Sequence, residues 1–316
     1  MTLKQTLDIY ELLDDANVNG EQVRDFFLRR GAGQVEVERV EGESGWTDFI
    51  QVCIPGRSGK TTGGDAPTLG IIGRLGGIGA RPERIGLVSD GDGAMTALTS
   101  ALKLIEMQAK GDKLPGDVLV ATHICPNAPT IPHEPVAFMG SPVDMMTMNQ
   151  HEVSPEMDAI LTIDTTKGNR VFNHRGVAIS PTIKEGCILR ISDDLVSLLE
   201  ISSGQLAHTF AVTMQDITPY GNNLYHINSI MQPCTATNAP VVGVAITTQS
   251  TVPGCATGAS HETDIAMAAR FAIEVAKAYG AGNCSFYDEE EFQRFQALYG
   301  SMNHLQTLGK SVNAGI

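Results

Sequence analysis

Two carboxylates stand at a strand-to-helix junction near residue 90. The apolar segment IGLVS is followed at once by Asp90, Gly91 and Asp92, where a helical repeat of apolar residues begins. Open α/β sheets bind their ligands at the carboxyl ends of strands. Carboxylates placed there can coordinate a metal ion, whereas a turn-forming Asp90 and a helix-capping Asp92 would be purely structural. The spacing alone leaves both interpretations open.

A second group of reactive side chains ends the apolar segment GDVLVATHI. Alternation along a strand places His123 and Cys125 on the same side. Both residue types ligate metals, and both serve in acid–base or nucleophilic chemistry. The structural alternative is one core cysteine and one hydrogen-bonded histidine. The following loop carries His133 and Glu134 between two prolines, in a position to close over the site.

Two further polar residues occupy similar junctions. Asp164 ends the apolar run AILTID, where an acid is either a cap or a ligand. His261 stands at the start of an amphipathic helix, with Ser260 as the expected cap. The helix dipole disfavours a cation at this end, which helps to keep the imidazole neutral and able to ligate a metal. A solvent-exposed histidine without a ligand is the alternative.

Strand and helix patterns alternate along the chain and must position these residues. Strands are predicted at 34–42, 48–54, 68–73, 116–124, 157–164, 208–213 and 241–246, and helices at 3–14, 21–30, 92–110, 222–231, 261–279 and 288–307. This alternation predicts an α/β fold with three αβα layers and a largely parallel mixed sheet. We expect an N-terminal helical addition (1–31), a single α/β domain (32–316), and a long loop or lid at 124–156.

Composition excludes several classes of function. The chain has 316 residues and a formal charge of −14, which argues against nucleic-acid and anionic-membrane partners. Apolar residues make up 42% and charged residues only 18%, so we expect a large core and a homo-oligomer. The N-terminus lacks the apolar core of a signal peptide, and no apolar run is long enough to span a membrane. A cytoplasmic location with six reduced cysteines is expected.

Two glycine-rich segments resemble phosphate-binding motifs without satisfying them. A phosphate loop ending in Gly59, Lys60 and Thr61 would need its first glycine at position 54, which is Ile54. GGIGARP lacks the third glycine of a dinucleotide fingerprint, and Pro82 interrupts the helix that should follow. Neither segment therefore predicts a nucleotide site.

The order of the four surviving segments resembles the zinc aminopeptidase and carboxypeptidase superfamily. VSDGDGAMTALTSAL is similar to the superfamily's LDNRAGVAALLEAL, AILTID to its strand ending in a ligand aspartate, and ASHETD to its final histidine segment. The resemblance implies a zinc-peptidase-like fold over about residues 68–280. It also implies metal-ligand roles for Asp90, Asp164 and His261, with Asp90 as the bridging residue. In length the chain is also similar to an uncharacterised bacterial and archaeal family with a domain of unknown function.

Two departures from that superfamily change the expected site. Arg74 and Gly76 stand where its first histidine and aspartate ligands belong, and Cys125 and Pro126 replace its pair of glutamates. The usual two-zinc site cannot be assembled from these residues.

A single divalent metal ion, with zinc the ion implied by the resemblance, could still be held by Asp90, Asp164 and His261, with His123 as a fourth ligand. Without a metal, we expect the Arg74 guanidinium to face Asp90 and Asp164 and to replace the cation's charge.

Three functions follow from these residues. The first is a metal-dependent hydrolase of a small amide or peptide-like substrate, with His123 in the site and Cys125 or Glu134 handling the proton. The second is a catalytically inactive protein of the same fold that binds a small molecule or peptide. The third is a cysteine-based enzyme in which Cys125 is the nucleophile and His123 or His133 the base.

Overall fold

The structure is a computed structural model that describes residues 2–15, 17–74, 76–79, 86–132, 138–166, 168–212, 227–250 and 258–307. Its α-helices are α1 (Leu3–Leu13), α2 (Gly20–Arg29), α3 (Asp92–Gln108), α4 (Met145–Glu152), α5 (Asp193–Ser203), α6 (Glu262–Gly280) and α7 (Glu289–Tyr299). Short 3-10 segments lie at Lys60–Thr62, Ser89–Gly91, Ser229–Thr235 and Asn303–Leu305. Within the described ranges, none of the helices is both long enough and apolar enough to cross a membrane.

The strands are β1 (Gln34–Gly42), β2 (Gly45–Ile54), β3 (Leu69–Gly73), β4 (Val118–Ile124), β5 (Thr130–Ile131), β6 (Phe138–Met139), β7 (Ala159–Thr165), β8 (Gly176–Ile179), β9 (Ile183–Lys184), β10 (Cys187–Ile188), β11 (His208–Thr209) and β12 (Val241–Thr247). All but β5 and β6, which form a separate hairpin, belong to one ten-stranded sheet.

The centre of this sheet is parallel and its flanks are mixed. The main path runs β1-β2-β4-β3-β7-β12-β8-β11, and β4, β3, β7 and β12 are mutually parallel. β1 and β2 add to β4 as an antiparallel pair, and β8 adds antiparallel to β12. β12 is therefore inserted between β7 and β8, which are neighbours in sequence. The predicted fold class is confirmed.

Helices cover both faces of the sheet. α1, α3, α5 and α6 pack against one another over one face, while α4 and the 3-10 segment at 229–235 lie on the other. Strand alternation separates the two cores: Ile71 joins the cluster around α3 and Ile72 the cluster around Met231. This arrangement gives the three αβα layers.

Local signals explain where the first helices begin and end. Asn19 caps α2 by accepting from the Gln22 amide, and the Gln22 side chain accepts from the Asn19 amide in return. Gly31 follows with a φ of +94°, a conformation that favours glycine. Asn19 and Gly31 thus mark the two ends of α2, close to the bounds of the helix predicted at 21–30.

Several short elements were not predicted from the sequence. They include α5, the hairpins β5–β6 and β9–β10, and α4 within the 124–156 segment. The predicted strand at 208–213 is only two residues long, and the helix predicted at 288–307 ends before Gly300, with a 3-10 segment following. Of the helix predicted at 222–231, residues 222–226 lie outside the described residues, and the rest contains the start of the 3-10 segment at 229–235. The division of the chain at residue 31 and the closing role of 124–156 stay predictions.

The loop containing GRSGKTT is held by a single buried acid. Asp117 accepts hydrogen bonds from the Gly56 amide and from both the amide and the hydroxyl of Thr61. Lys60 forms an ion pair with Asp158, 2.6 Å away. The donors that a phosphate would need are therefore bound within the protein, consistent with rejecting the motif.

Candidate functional site

The amino end of α3 lies directly against the carboxyl ends of β3 and β7. A Cβ atom at Gly93 would overlap the carbonyl oxygen of Arg74 and would lie 2.6 Å from that of Ile163. Only glycine allows α3 to begin so close to the two strands. Because Asp92 precedes Gly93 and Asp164 follows Ile163, this contact brings the two acid-bearing junctions to the same edge of the sheet.

A hydrogen bond connects α3 to the start of α6. The Ser260 hydroxyl donates to Oδ1 of Asp92 at 2.5 Å, and the Asp92 side chain is completely buried. The expectation that Ser260 caps α6 was wrong, because the cap position is taken by His261, which makes no side-chain cap bond. The Ser260 hydroxyl is bound to Asp92 instead. The candidate junctions at Asp92, Asp164 and His261 are thus adjacent.

The carboxylates at this edge are buried. Asp90 is 5% exposed and Asp164 is 1% exposed. Oδ1 of Asp164 accepts from the Thr165 amide at 2.7 Å, and Asp164 is in register with Ala245 of β12. Nδ1 of His261 is buried and has no hydrogen-bond partner within the described part of the chain. A buried ring nitrogen that makes no hydrogen bond is the feature of this edge that fits a metal ligand.

A buried ion pair closes the ends of β3 and β4 on the side of α4. Arg74 is completely buried, and its Nε lies 3.1 Å from Oε2 of Glu152 at an angle that falls short of a hydrogen bond. Its other nitrogens contact the Asn149 side-chain oxygen and the sulfur atoms of Met145 and Met148. The expectation that Arg74 would face Asp90 and Asp164 was wrong, because α4 supplies its partners.

His123 belongs to the same network. The Gly76 amide donates to its Nε2 at 3.1 Å, and its Nδ1 lies 2.5 Å from Oε1 of Glu152. Nε2 is therefore the unprotonated acceptor, and Nδ1 carries the proton given to Glu152. Neither nitrogen has a lone pair left for a metal ion in this arrangement.

The position of Gly76 is fixed by the backbone of β4. A Cβ atom there would overlap the His123 carbonyl oxygen, while the Cys125 amide donates to the Gly76 carbonyl at 2.7 Å. The aspartate that the resembled superfamily carries at this point has no space.

Cys125 is packed in the core rather than presented to solvent. Its thiol donates to the Trp46 carbonyl at 3.4 Å, and burial raises the pKa of the thiol to about 11. A nucleophilic cysteine needs a low pKa and a nearby base. His123 bonds elsewhere, and His133 and Glu134 lie outside the described residues.

The described residues contain no group of three or more His, Cys, Asp or Glu side chains that could hold a metal ion. Asp90, His123, Asp164 and His261 all lie in that part of the chain, so the predicted four-ligand set is not assembled as it stands. Their assignment as metal ligands stays a prediction.

Sequence reasoning also missed Glu152, because it lies in a segment interpreted as loop. The capping Asp144, which accepts from the Thr147 amide, was the signal for its helix.

Residues 38–309 match a family described as "Protein of unknown function (DUF1177)". The chain belongs to the DUF1177 family. A search of curated proteins finds no match to this DUF1177 chain. Among solved structures, the Legionella pneumophila LapA aminopeptidase is similar at a TM-score of 0.45 and 13% identity, over 87% of this chain and 69% of that one.

Proposed function

We propose that this DUF1177 protein binds a small amide or peptide-like molecule at the carboxyl edge of β3, β7 and β12, without the two-metal centre of the exopeptidases that its motifs resemble. One observation carries the proposal. The closed network of Arg74, Glu152 and His123 occupies the strand ends at which that resemblance places the first metal ligands.

The charges of this network balance internally. One guanidinium cation faces one carboxylate, and the imidazole donates a proton to that carboxylate while accepting one hydrogen bond from the backbone. Breaking such a buried pair leaves an uncompensated charge, which is strongly unfavourable. A metal ligated by His123 would require its bonds to Glu152 or Gly76 to break first.

The neighbouring acids define the chemistry of the ligand. Asp90, Asp92 and Asp164 are buried side chains at one edge, and a carboxylate has about four lone pairs, so each can accept from an N–H or ammonium group in addition to the bonds it already makes. Amides, peptides and amino-acid derivatives present such donors. The location agrees with the general rule that open α/β sheets bind ligands beyond the carboxyl ends of their strands.

The test is calorimetric titration of the full chain with amino-acid amides and dipeptides, with and without a chelator, together with product analysis. We expect binding that the chelator does not change, no turnover, and weaker binding by Asp164→Asn. The matched control is Asp193→Asn, at an exposed acid in the first turn of α5. Robust hydrolysis of any of these compounds would overturn the proposal.

A second candidate is the metal-dependent hydrolase, favoured by the buried Nδ1 of His261. Imidazole and carboxylate are ordinary zinc ligands, and Asp90, Asp164 and His261 would hold the ion. Metal analysis of protein purified without chelator distinguishes the two candidates. A metal content that falls by one equivalent per chain in Asp90→Ala supports the hydrolase, whereas a metal content that is unchanged by this substitution supports the binding protein.

A further inference from the structure

Two histidines stack at the far edge of the sheet, away from the candidate site. His174 lies just before β8, and His208 begins β11, the last strand of the main path, where it is in register with Ala178. Their ring centroids are 4.1 Å apart and their planes differ by only 13°. The two imidazole rings are thus stacked in direct contact, next to the place where β11 pairs with β8.

The support for these rings is aromatic, and their nitrogens are left available. Phe172 packs edge-on against His174 at 5.1 Å and also contacts Phe210, which lies two residues after His208. Both phenylalanines are buried, whereas both histidines are partly exposed. Both imidazoles are partly exposed, and within the described part of the chain neither makes a hydrogen bond that would occupy a ring nitrogen.

We propose that His174 and His208 form a binding site for a divalent transition-metal ion of the zinc class. Imidazole nitrogen is a preferred ligand of zinc, copper and nickel, and two protein ligands leave the remaining positions to water. Burial and the neighbouring His174 lower the pKa of His208, which keeps its imidazole in the neutral form that a metal requires. The site is independent of the proposed function.

The stacked arrangement needs a small adjustment to bind an ion. Two Zn–N bonds of about 2.0–2.1 Å at a tetrahedral angle place the nitrogens about 3.3 Å apart. Parallel rings point their lone pairs in parallel, so one ring must turn about its side-chain bonds until the nitrogens converge. The two residues lie on separate backbone segments, and a ring that is partly exposed has room to rotate.

The experiment is calorimetric titration of the tag-free full chain with ZnCl₂ at pH 7.5, after chelator treatment and desalting. We expect one class of zinc sites, no comparable binding of Mg²⁺, and affinity lowered at least about tenfold by either His174→Ala or His208→Ala. His304→Ala is the control, because His304 is an exposed histidine in the 3-10 segment at 303–305. An isotherm that is absent in the wild-type chain, or unchanged in both variants, would overturn the proposal.

A second measurement uses only the wild-type chain, in case the variants do not fold. Diethyl pyrocarbonate acylates unprotonated imidazole nitrogens, and the modified residues are located by peptide mass mapping. We expect zinc to slow the acylation of His174 and His208 together while leaving His304 unaffected. Equal acylation of the pair with and without zinc contradicts a shared site.

Discussion

The Glu152 carboxylate is shared between two buried partners. Its Oε1 lies 2.5 Å from Nδ1 of His123, and its Oε2 lies 3.1 Å from Nε of Arg74. Because Glu152 is the last residue of α4, this one side chain fixes that helix to the ends of two central strands. The 124–156 segment is therefore anchored at its carboxyl end by charge as well as by packing.

Removing the charge of Glu152 should destabilise the fold strongly. Glu152→Gln keeps the size of the side chain but leaves the buried Arg74 cation without its counter-charge. We expect a loss of about 3–5 kcal/mol in the free energy of unfolding, measured by urea denaturation. Glu38→Gln is the control, because Glu38 is 67% exposed where it faces His151, and it should change stability by less than about 0.5 kcal/mol. A similar small effect for both substitutions would refute a structural role for the network.

Gly76→Ala should be far more harmful than an alanine at an unconstrained glycine. The added methyl group would overlap the His123 carbonyl oxygen, which belongs to the backbone of β4 and cannot turn away. We expect a loss of at least about 2 kcal/mol, in the range of overpacked cores, in thermal or urea unfolding. At Gly33 the same methyl group would meet no atom within 4 Å, and the backbone there is not left-handed. Gly33→Ala should accordingly be neutral.

The thiol of Cys125 should be inert in the native protein. With its pKa raised to about 11 by burial, almost none of it is thiolate at pH 7.5, and its sulfur is shielded from reagents. Iodoacetamide should leave the Cys125 peptide unmodified in buffer and alkylate it fully in urea, as read by mass spectrometry. Rapid alkylation of the folded chain at this residue would revive the cysteine-based mechanism.

Stability should fall on mild acidification, in part through His208. Burial, with a smaller contribution from His174, lowers the pKa of His208 in the folded state. As the pH falls below the unfolded value of about 6.5, the unfolded chain binds a proton that the folded chain does not, so the free energy of unfolding decreases. The contribution of His208 to this decrease ends once the pH is below the pKa of His208 in the folded state.

Urea titrations between pH 5 and pH 8 check this, with His208→Phe as the comparison. Phenylalanine keeps a ring against His174 but does not titrate, so the stability of this variant should depend less steeply on pH. Identical slopes for the two proteins would contradict the lowered pKa.

The sequence was most informative where a residue's local pattern decided its structure. The apolar runs of β3, β4, β7 and β12 are buried on both faces, which is how the centre of a parallel sheet differs from its edges. α5 was missed although Ser192 caps its first turn and Gly204 ends it with a left-handed φ of +72°. The capping serine and the terminating glycine together indicate a helix over this segment.

The site was harder to predict because its decisive contacts join distant parts of the chain. Nothing near Arg74 in sequence indicates that Glu152, rather than Asp90 or Asp164, will be its partner. The role of His123 depends on how closely Gly76 approaches β4, a distance that strand alternation does not specify. Residue type and order therefore located the edge of the sheet that matters, whereas the pairing of its charges required coordinates.

The insertion of β12 between β7 and β8 has a consequence for biosynthesis. β7 and β8 are complete by residue 179, but the strand that joins them comprises residues 241–247. Until that stretch is synthesised, β7 and β8 each have a strand edge whose backbone N–H and C=O groups are not paired by β12. Such edges can pair with strands of other chains. Productive assembly must therefore wait until residues 241–247 are synthesised, and we expect a product truncated before β12 to expose both strand edges and to be prone to aggregation.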